Sequence, residues 1–443
     1  IYETFNETRV RHGFQVDPFG ASSTFATITA KLGFSSHILN RINYYDKGWM
    51  QQNQQLEFVW RPSPSLQASP EKLEIFTHVM DQFQYSAPGI PLAQQLEFLC
   101  TPNNTHCPGG GFFWDGDDSQ PSWYWTKRAK ANGYPIYPGV NDSNVEFYAD
   151  FLVANARQRA KWYATPNLLW PWGTDFQFSN ATVMFNSMDK ILDHVNSANG
   201  KGQRYEGVEL IYASLRDYFD AVIKYKPSGW STRGGGDFLP YSTLNCNGIS
   251  QPLLPLPCSS NAGPQFPVSW PQVWSGFFSS HAELKIKTRT TGRDVRAAQQ
   301  LEALLRNGST QRVRAKTLPV DVRDAVSLLS HHDAISGTMG PGCGNDPKRG
   351  QNMHYCSNLP IGTLGNTGGI AEDYATRLSG AKASANSFRG MVAEELMGND
   401  TFPSHRVSVD PIDGMNVYRA FASCKVQSVK VTVQNTLAWR APS

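Results

Sequence analysis

Residues 328–338 read LLSHHDAISGT and set His331, His332 and Asp333 side by side. Imidazole nitrogens and carboxylate oxygens are donors that zinc takes from proteins, and the same groups serve as acids and bases. Read as one helix opening after Pro319, VDVRDAVSLLSHHDAIS puts Val322, Ala325, Val326 and Leu329 on a single face. That face continues to His332, Asp333 and Ser336, while Asp324, Ser327 and His331 fall on a polar one. An imidazole beside a carboxylate on an inward face is costly unless both are satisfied. Either they form a hydrogen-bonded network inside a core, or they bind something. Two successive inward polar groups followed by Gly337 favour binding.

Two further carboxylates sit where chemistry is often placed. Asp17 in FQVDPFG ends an apolar run, and Pro18 biases it away from helix, so it stands at a strand's carboxyl end. Asp175 in LLWPWGTDFQF lies among Trp170, Trp172, Phe176 and Phe178. A carboxyl in such surroundings can have a raised pKa and act as an acid, and sugar faces stack on rings of this kind. The structural alternative for each is an aspartate capping a turn.

These groups need a scaffold. From the start to about residue 228, apolar runs such as FQVDPFG, HILNRI, LEFVW, NLLWPWGTDFQF and GVELIYAS alternate with helical patterns. The order predicts an α/β domain with a mainly parallel sheet, whose functional groups gather at the carboxyl ends of strands. Ser214 and Asp217 in YASLRDYFDAV have the spacing of a capping box. Residues 229–405 are expected to hold a Gly/Pro-rich connection and three helices. The first helix runs through DVRAAQQLEALLRN, the second carries the histidines, and the third spans residues 370–397. On the third, Ile370, Tyr374, Leu378, Ala381, Ala385, Phe388, Val392 and Leu396 form one stripe, so a three-helix bundle is predicted. Residues 406–443, with SVKVTVQNTLAW, read as the start of a β domain.

The 443 residues are 40% hydrophobic and 12% aromatic, enough for large cores and against disorder. A formal charge of +3 with no basic run argues against nucleic acid, and no apolar run is long enough to span a membrane. The sequence starts at Ile1 rather than Met, which suggests a processed or partial chain. Sequons at Asn6, Asn103, Asn141, Asn180, Asn307 and Asn399 favour a secretory glycoprotein. Cys100 with Cys107, Cys246 with Cys258, and Cys343 with Cys356 each bracket a loop and read as local disulfides; Cys424 has no evident partner.

Taken together, HHDAISGT, VDPFG, NRINYYDK, FVWRPS, GTDFQF, GGDFLPY and WSGFFSSHAELK resemble, in order, segments of the α-mannosidases of glycoside hydrolase family 38, the lysosomal and acid branch in particular. The resemblance runs from about Phe14 to Ser443. It implies an α/β barrel-like domain, a three-helix bundle and β-sandwich domains. It also implies zinc-dependent, retaining hydrolysis of terminal α-D-mannosyl residues. By that resemblance Asp17 matches the nucleophile and a zinc ligand, Asp175 the acid/base, His332 a zinc ligand, and Asp333 a residue that bonds sugar hydroxyls. Phe19, Arg41, Trp274 and Asp237 match residues lining the pocket.

One departure stands out. The family carries a His-x-Asp pair on an early strand, and both residues bind zinc, yet only sixteen residues precede Asp17 and His12 is in another context. The expectation is therefore a fragment of a processed precursor. Its partners would be an N-terminal polypeptide with that pair, C-terminal β domains, and a mannose-containing oligosaccharide or N-glycan, in a lysosome, a vacuole or the secreted space; a homo-oligomer is compatible. The competing readings are a non-catalytic glycan-binding or structural glycoprotein with an inherited fold, and a related hydrolase of altered sugar specificity. Retention of Asp17, Asp175, His332 and Asp333 argues against the first of these.

Overall fold

The computed structural model of the chain describes residues 8–63, 73–81, 140–172, 181–246, 270–308, 317–338, 370–397, 406–412, 415–421 and 431–435, with positions 5, 65, 178 and 249–250. They divide between two compact units, Ile1–Trp274 and Ser275–Ser443.

The first unit is built on a five-stranded sheet in the order β1-β2-β4-β3-β5. Its strands are β1 (His12–Gln15), β2 (Ser36–Leu39), β3 (Glu57–Arg61), β4 (Ile75–Val79) and β5 (Thr232–Gly234). β1 with β2, β2 with β4, and β3 with β5 pair in parallel; β3 with β4 is antiparallel. The sheet is therefore mixed. β2 and β4 are buried along their whole lengths, as inner strands covered on both faces must be. Alternation sends Leu39, Ile75 and Val79 to one face, where they pack with Ala26 of α1 (Ser23–Lys31) and Met50 of α2 (Tyr44–Gln52). Ile38 and Phe76 go to the other face and meet Tyr218, Phe219 and Val222.

Local sequence sets the helix starts. Ser22 caps α1 by accepting the Phe25 N–H, and Asn43 caps α2 by accepting from Tyr45 and Asp46. Two further helices, α3 (Val145–Arg159) and α4 (Ala181–Asn196), share a separate core that includes Ala149, Leu152, Met188 and Ile191. α5 (Leu215–Tyr225) opens on the expected capping box of Ser214 and Asp217.

Three expectations need correction. The described part of NLLWPWGTDFQF and the whole of GVELIYAS form no strand. Asn196 instead bonds both the N–H and the carbonyl of Leu210, meeting backbone needs that a ladder would otherwise meet. Residue 228 is also not a boundary. β5 lies just beyond it yet pairs with β3, and the first unit continues to Trp274. Between them come the small antiparallel strands β6 (Ser242–Cys246), β7 (Ile249–Ser250) and β8 (Trp270–Val273).

In the second unit, α6 (Ala282–Gly308), α7 (Val320–Leu328) and α8 (Ile370–Met397) share one core. Leu378, Ala381, Ala385, Phe388 and Val392 of the predicted stripe on α8 are all buried. Strands β9 (Arg406–Ile412), β10 (Met415–Phe421) and β11 (Val431–Asn435) form an antiparallel sheet in the order β11-β10-β9.

Candidate active site

The parallel ladder aligns Gln15 with Leu39 and Leu39 with Val79. Two residues beyond each of these paired ends stand Asp17, Arg41 and Asp81. The carboxyl edge of the sheet thus presents a carboxylate, a guanidinium and a second carboxylate in a row.

Arg41 is bonded to Asp17 through Nε at 2.6 Å and also through Nη2, and both bonds converge on Oδ1. Its Nη1 donates to the Tyr241 hydroxyl at 3.4 Å. Three rings surround the guanidinium carbon: Trp274 at 5.4 Å, Phe19 at 5.6 Å and Tyr241 at 5.7 Å. Those rings also touch one another, Phe19 to Trp274 at 5.1 Å and Tyr241 to Trp274 at 5.2 Å. Burial by itself would lower the affinity of Arg41 for its proton. The neighbouring Tyr241 and Asp17 outweigh that and raise it, so the group stays charged. Arg41 and Asp17 are 17% and 20% exposed, so the pair is shielded without being sealed from solvent.

The loop carrying Asp17 is fixed by Gly20, whose φ is +86°. A Cβ there would lie 2.6 Å from the Phe238 carbonyl oxygen. The close approach lets Ala21 and Phe238 form a β-bridge, which draws the segment after β5 towards the segment after β1.

Asp81 accepts Arg159 Nε and Nη2 at 2.5 and 2.9 Å, with both residues buried. Arg159 in turn lies over the ring of Trp170, in the aromatic stretch that carries Asp175. The buried Lys47 donates to Asn40 Oδ1 at 2.8 Å and to the Asp81 carbonyl at 3.3 Å. Burial draws its ammonium down to about 7, Asp81 acting against this and Arg41 with it.

The structure thus brings Asp17, Phe19, Arg41 and Trp274 together and adds Tyr241, which the sequence reading missed although GGDFLPY contains it. Asp237 does not join them: it is exposed, and accepts from the Leu239 N–H at 3.2 Å. A carboxylate two residues before a backbone N–H is well placed for this local turn. Asp175 lies outside the described residues.

In the second unit the expected long helix stops at Leu328. Ser330 and His331 bond back three residues, to Ser327 and Leu328, and the motif continues as turns. One donor atom from each of His331, His332 and Asp333, a ring nitrogen or a carboxylate oxygen, lies within 4.8 Å of the other two. Each imidazole Nε2 is 3.6 Å from Asp333 Oδ2. Donors on a tetrahedral zinc at about 2.1 Å stand roughly 3.4 Å apart, so this donor set and spacing suit the ion. His332 is the most enclosed of the three, with a side chain 24% exposed. Thr338 donates to Asp333 Oδ1 at 2.5 Å.

The model of the glycosyl hydrolases family 38 N-terminal domain matches residues 1–243, which include Asp17, Phe19, Arg41 and Tyr241. This chain belongs to glycosyl hydrolase family 38. It is 37% identical over 373 residues to the human epididymis-specific alpha-mannosidase, covering 82% of this chain and 31% of that protein. It is 27% identical over 438 residues to the lysosomal alpha-mannosidase of Dictyostelium discoideum, covering 96% of this chain and 34% of that protein. An alpha-mannosidase crystal structure from Enterococcus faecalis V583 superposes with a TM-score of 0.45 at 14% identity, covering 93% of this chain and 34% of that one. The family 38 chain described here spans about a third of the length of the curated relatives it matches.

The sequons and cysteines are mostly beyond reach. Asn6, Asn103, Asn180 and Asn399, with Cys100, Cys107, Cys258, Cys343, Cys356 and Cys424, lie outside the described residues. The backbone places Asn307 within α6 and Cys246 at the end of β6. Asn141 accepts from the Ser143 N–H and hydroxyl at 3.0 and 2.6 Å. Among the described residues no helix is long and apolar enough to cross a membrane.

Proposed function

We propose that the protein is a zinc-dependent, retaining exo-glycosidase that removes terminal α-D-mannosyl residues from oligosaccharides and N-glycans. The observation that carries this is Asp17, held at the carboxyl end of β1 by Arg41 inside a wall of Phe19, Tyr241 and Trp274. A glycosidase nucleophile has to be ionised, aimed and shielded from bulk water. A charged guanidinium supplies the first two and a ring of aromatics the third.

Asp17 attacks the anomeric carbon while Asp175 protonates the departing glycosidic oxygen. The resulting ester at Asp17 is then hydrolysed by a water from which Asp175 takes the proton. His332 would hold the zinc, and Asp333 would bond sugar hydroxyls. When bound, the ion supplies a Lewis acid that grips those hydroxyls. A lysosomal or secretory-pathway lumen suits the sequons and the lysosomal relatives.

Replacing Asp17 tests the reading. In the native protein, Asp17→Asn should cut turnover of an aryl α-mannoside by several powers of ten, the scale on which nucleophiles contribute. The melting temperature should move little. Near-normal turnover would remove Asp17 from its role.

A further inference from the structure

The turn that holds His332 and Asp333 is gripped by the residues that open α6. Lys285 Nζ donates to the Ile335 carbonyl at 2.7 Å and to the Ser280 carbonyl. Ser280 Oγ donates to the Ser336 carbonyl. Gly337 has φ +77°, and a Cβ there would lie 2.5 Å from His281 Cδ2 and 2.8 Å from Ser280 Oγ. Three consecutive residues of the turn, 335 to 337, are thus fixed by residues 280 to 285. From there the restraint passes along the turn. Ser336 Oγ donates to the His332 carbonyl and lies 2.9 Å from Thr338 Oγ1, which bonds Asp333.

Both of these acceptors of the ammonium are main-chain carbonyls. Partial desolvation lowers its proton affinity, as expected for an ammonium that has exchanged some water for these carbonyls. A surface lysine does not normally give up hydration to bridge two carbonyls. Here it ties the turn to α6, and the turn's donors are the ones that need a fixed separation.

We infer that Lys285 is a positioning residue for the metal: its ammonium locks the 331–338 turn so that His332 is presented as a preformed donor, with Asp333 held beside it. The inference rests on the zinc reading above and concerns what makes that site tight.

The test uses the native protein, stripped of metal and titrated with zinc against a chelator, then with cobalt for its visible absorption bands. Lys285→Met should lose 10- to 100-fold in zinc affinity, the usual effect of removing a group that orients a ligand, and should shift the cobalt bands. Lys285→Arg, which keeps a charged donor, should recover most of the affinity. The circular dichroism of the metal-free forms should superimpose. If Lys285→Met does not fold, Ser280→Ala carries the test, with an expected loss of about fivefold, the worth of one hydrogen bond. Unchanged zinc affinity and cobalt bands in a folded Lys285→Met protein would overturn the inference and leave the zinc reading standing. A wild-type protein that binds neither ion would overturn both.

Discussion

Replacing Lys47 by Met removes a cation buried against Asn40 and Asp81, and two opposing terms decide the outcome. The ammonium has its proton affinity drawn down to about 7, against about 10.4 for a free lysine. Between those values the unfolded chain holds a proton that the folded chain does not, so stability rises with pH there. Below about 7 both states are protonated and the full penalty applies, roughly 4–5 kcal/mol. Met removes that penalty, but Asn40 Oδ1 and the Asp81 carbonyl lose the donor they share. An acceptor left unsatisfied in a buried site costs about 1–3 kcal/mol, so the two terms nearly cancel at neutral pH. Absolute stability is therefore a poor readout, and its pH dependence is a good one. From pH 7 to pH 9 the wild type should gain about 2 kcal/mol on the Lys47→Met protein, since other titrations are common to both. Denaturant midpoints at the two pH values measure this. Parallel curves would show that the Lys47 ammonium is not buried as described.

Gly337→Ala should cost about 1–3 kcal/mol through the φ of +77° alone, with the 2.5 Å approach to His281 adding to it, and should weaken zinc binding; thermal unfolding and chelator competition check both. Asp175→Asn should slow an unactivated mannoside far more than an aryl mannoside, because a good leaving group needs little protonation, and equal losses on both would count against the acid role.

The sequence made the scaffold legible where a single physical rule governs an element. Short apolar runs gave β1 to β3, and the three-and-four spacing of Leu378, Ala381, Ala385, Phe388 and Val392 marked the buried side of α8. Pro18 and the run before it placed Asp17 at a strand end. What was missed depends on partners far away in the chain. Tyr241 meets Arg41 across 200 positions, and β5 is a strand only because β3 accepts it. Lys47 looks like an ordinary surface residue of an amphipathic helix until Asn40 and Asp81 are folded around it. Asp237 went the other way: its motif suggested a pocket wall, yet a local bond to Leu239 suffices to explain it.

The helix end at Leu328 bears directly on chemistry. Consecutive side chains on an α-helix diverge by roughly 100°, so neighbours in sequence do not face each other. Had the helix run on through the motif, His331 would have stood on a different face from His332 and Asp333. The three are consecutive, and yet their donor atoms lie within 4.8 Å of one another. The turn brings His331 to the other two. Unwinding leaves main-chain carbonyls without helical partners, and those of His332, Ile335 and Ser336 are taken up by Ser336, Lys285 and Ser280. The serine, glycine and threonine that follow HHDAI are therefore part of the metal-site argument. They hold open a turn that a helix-forming sequence would close.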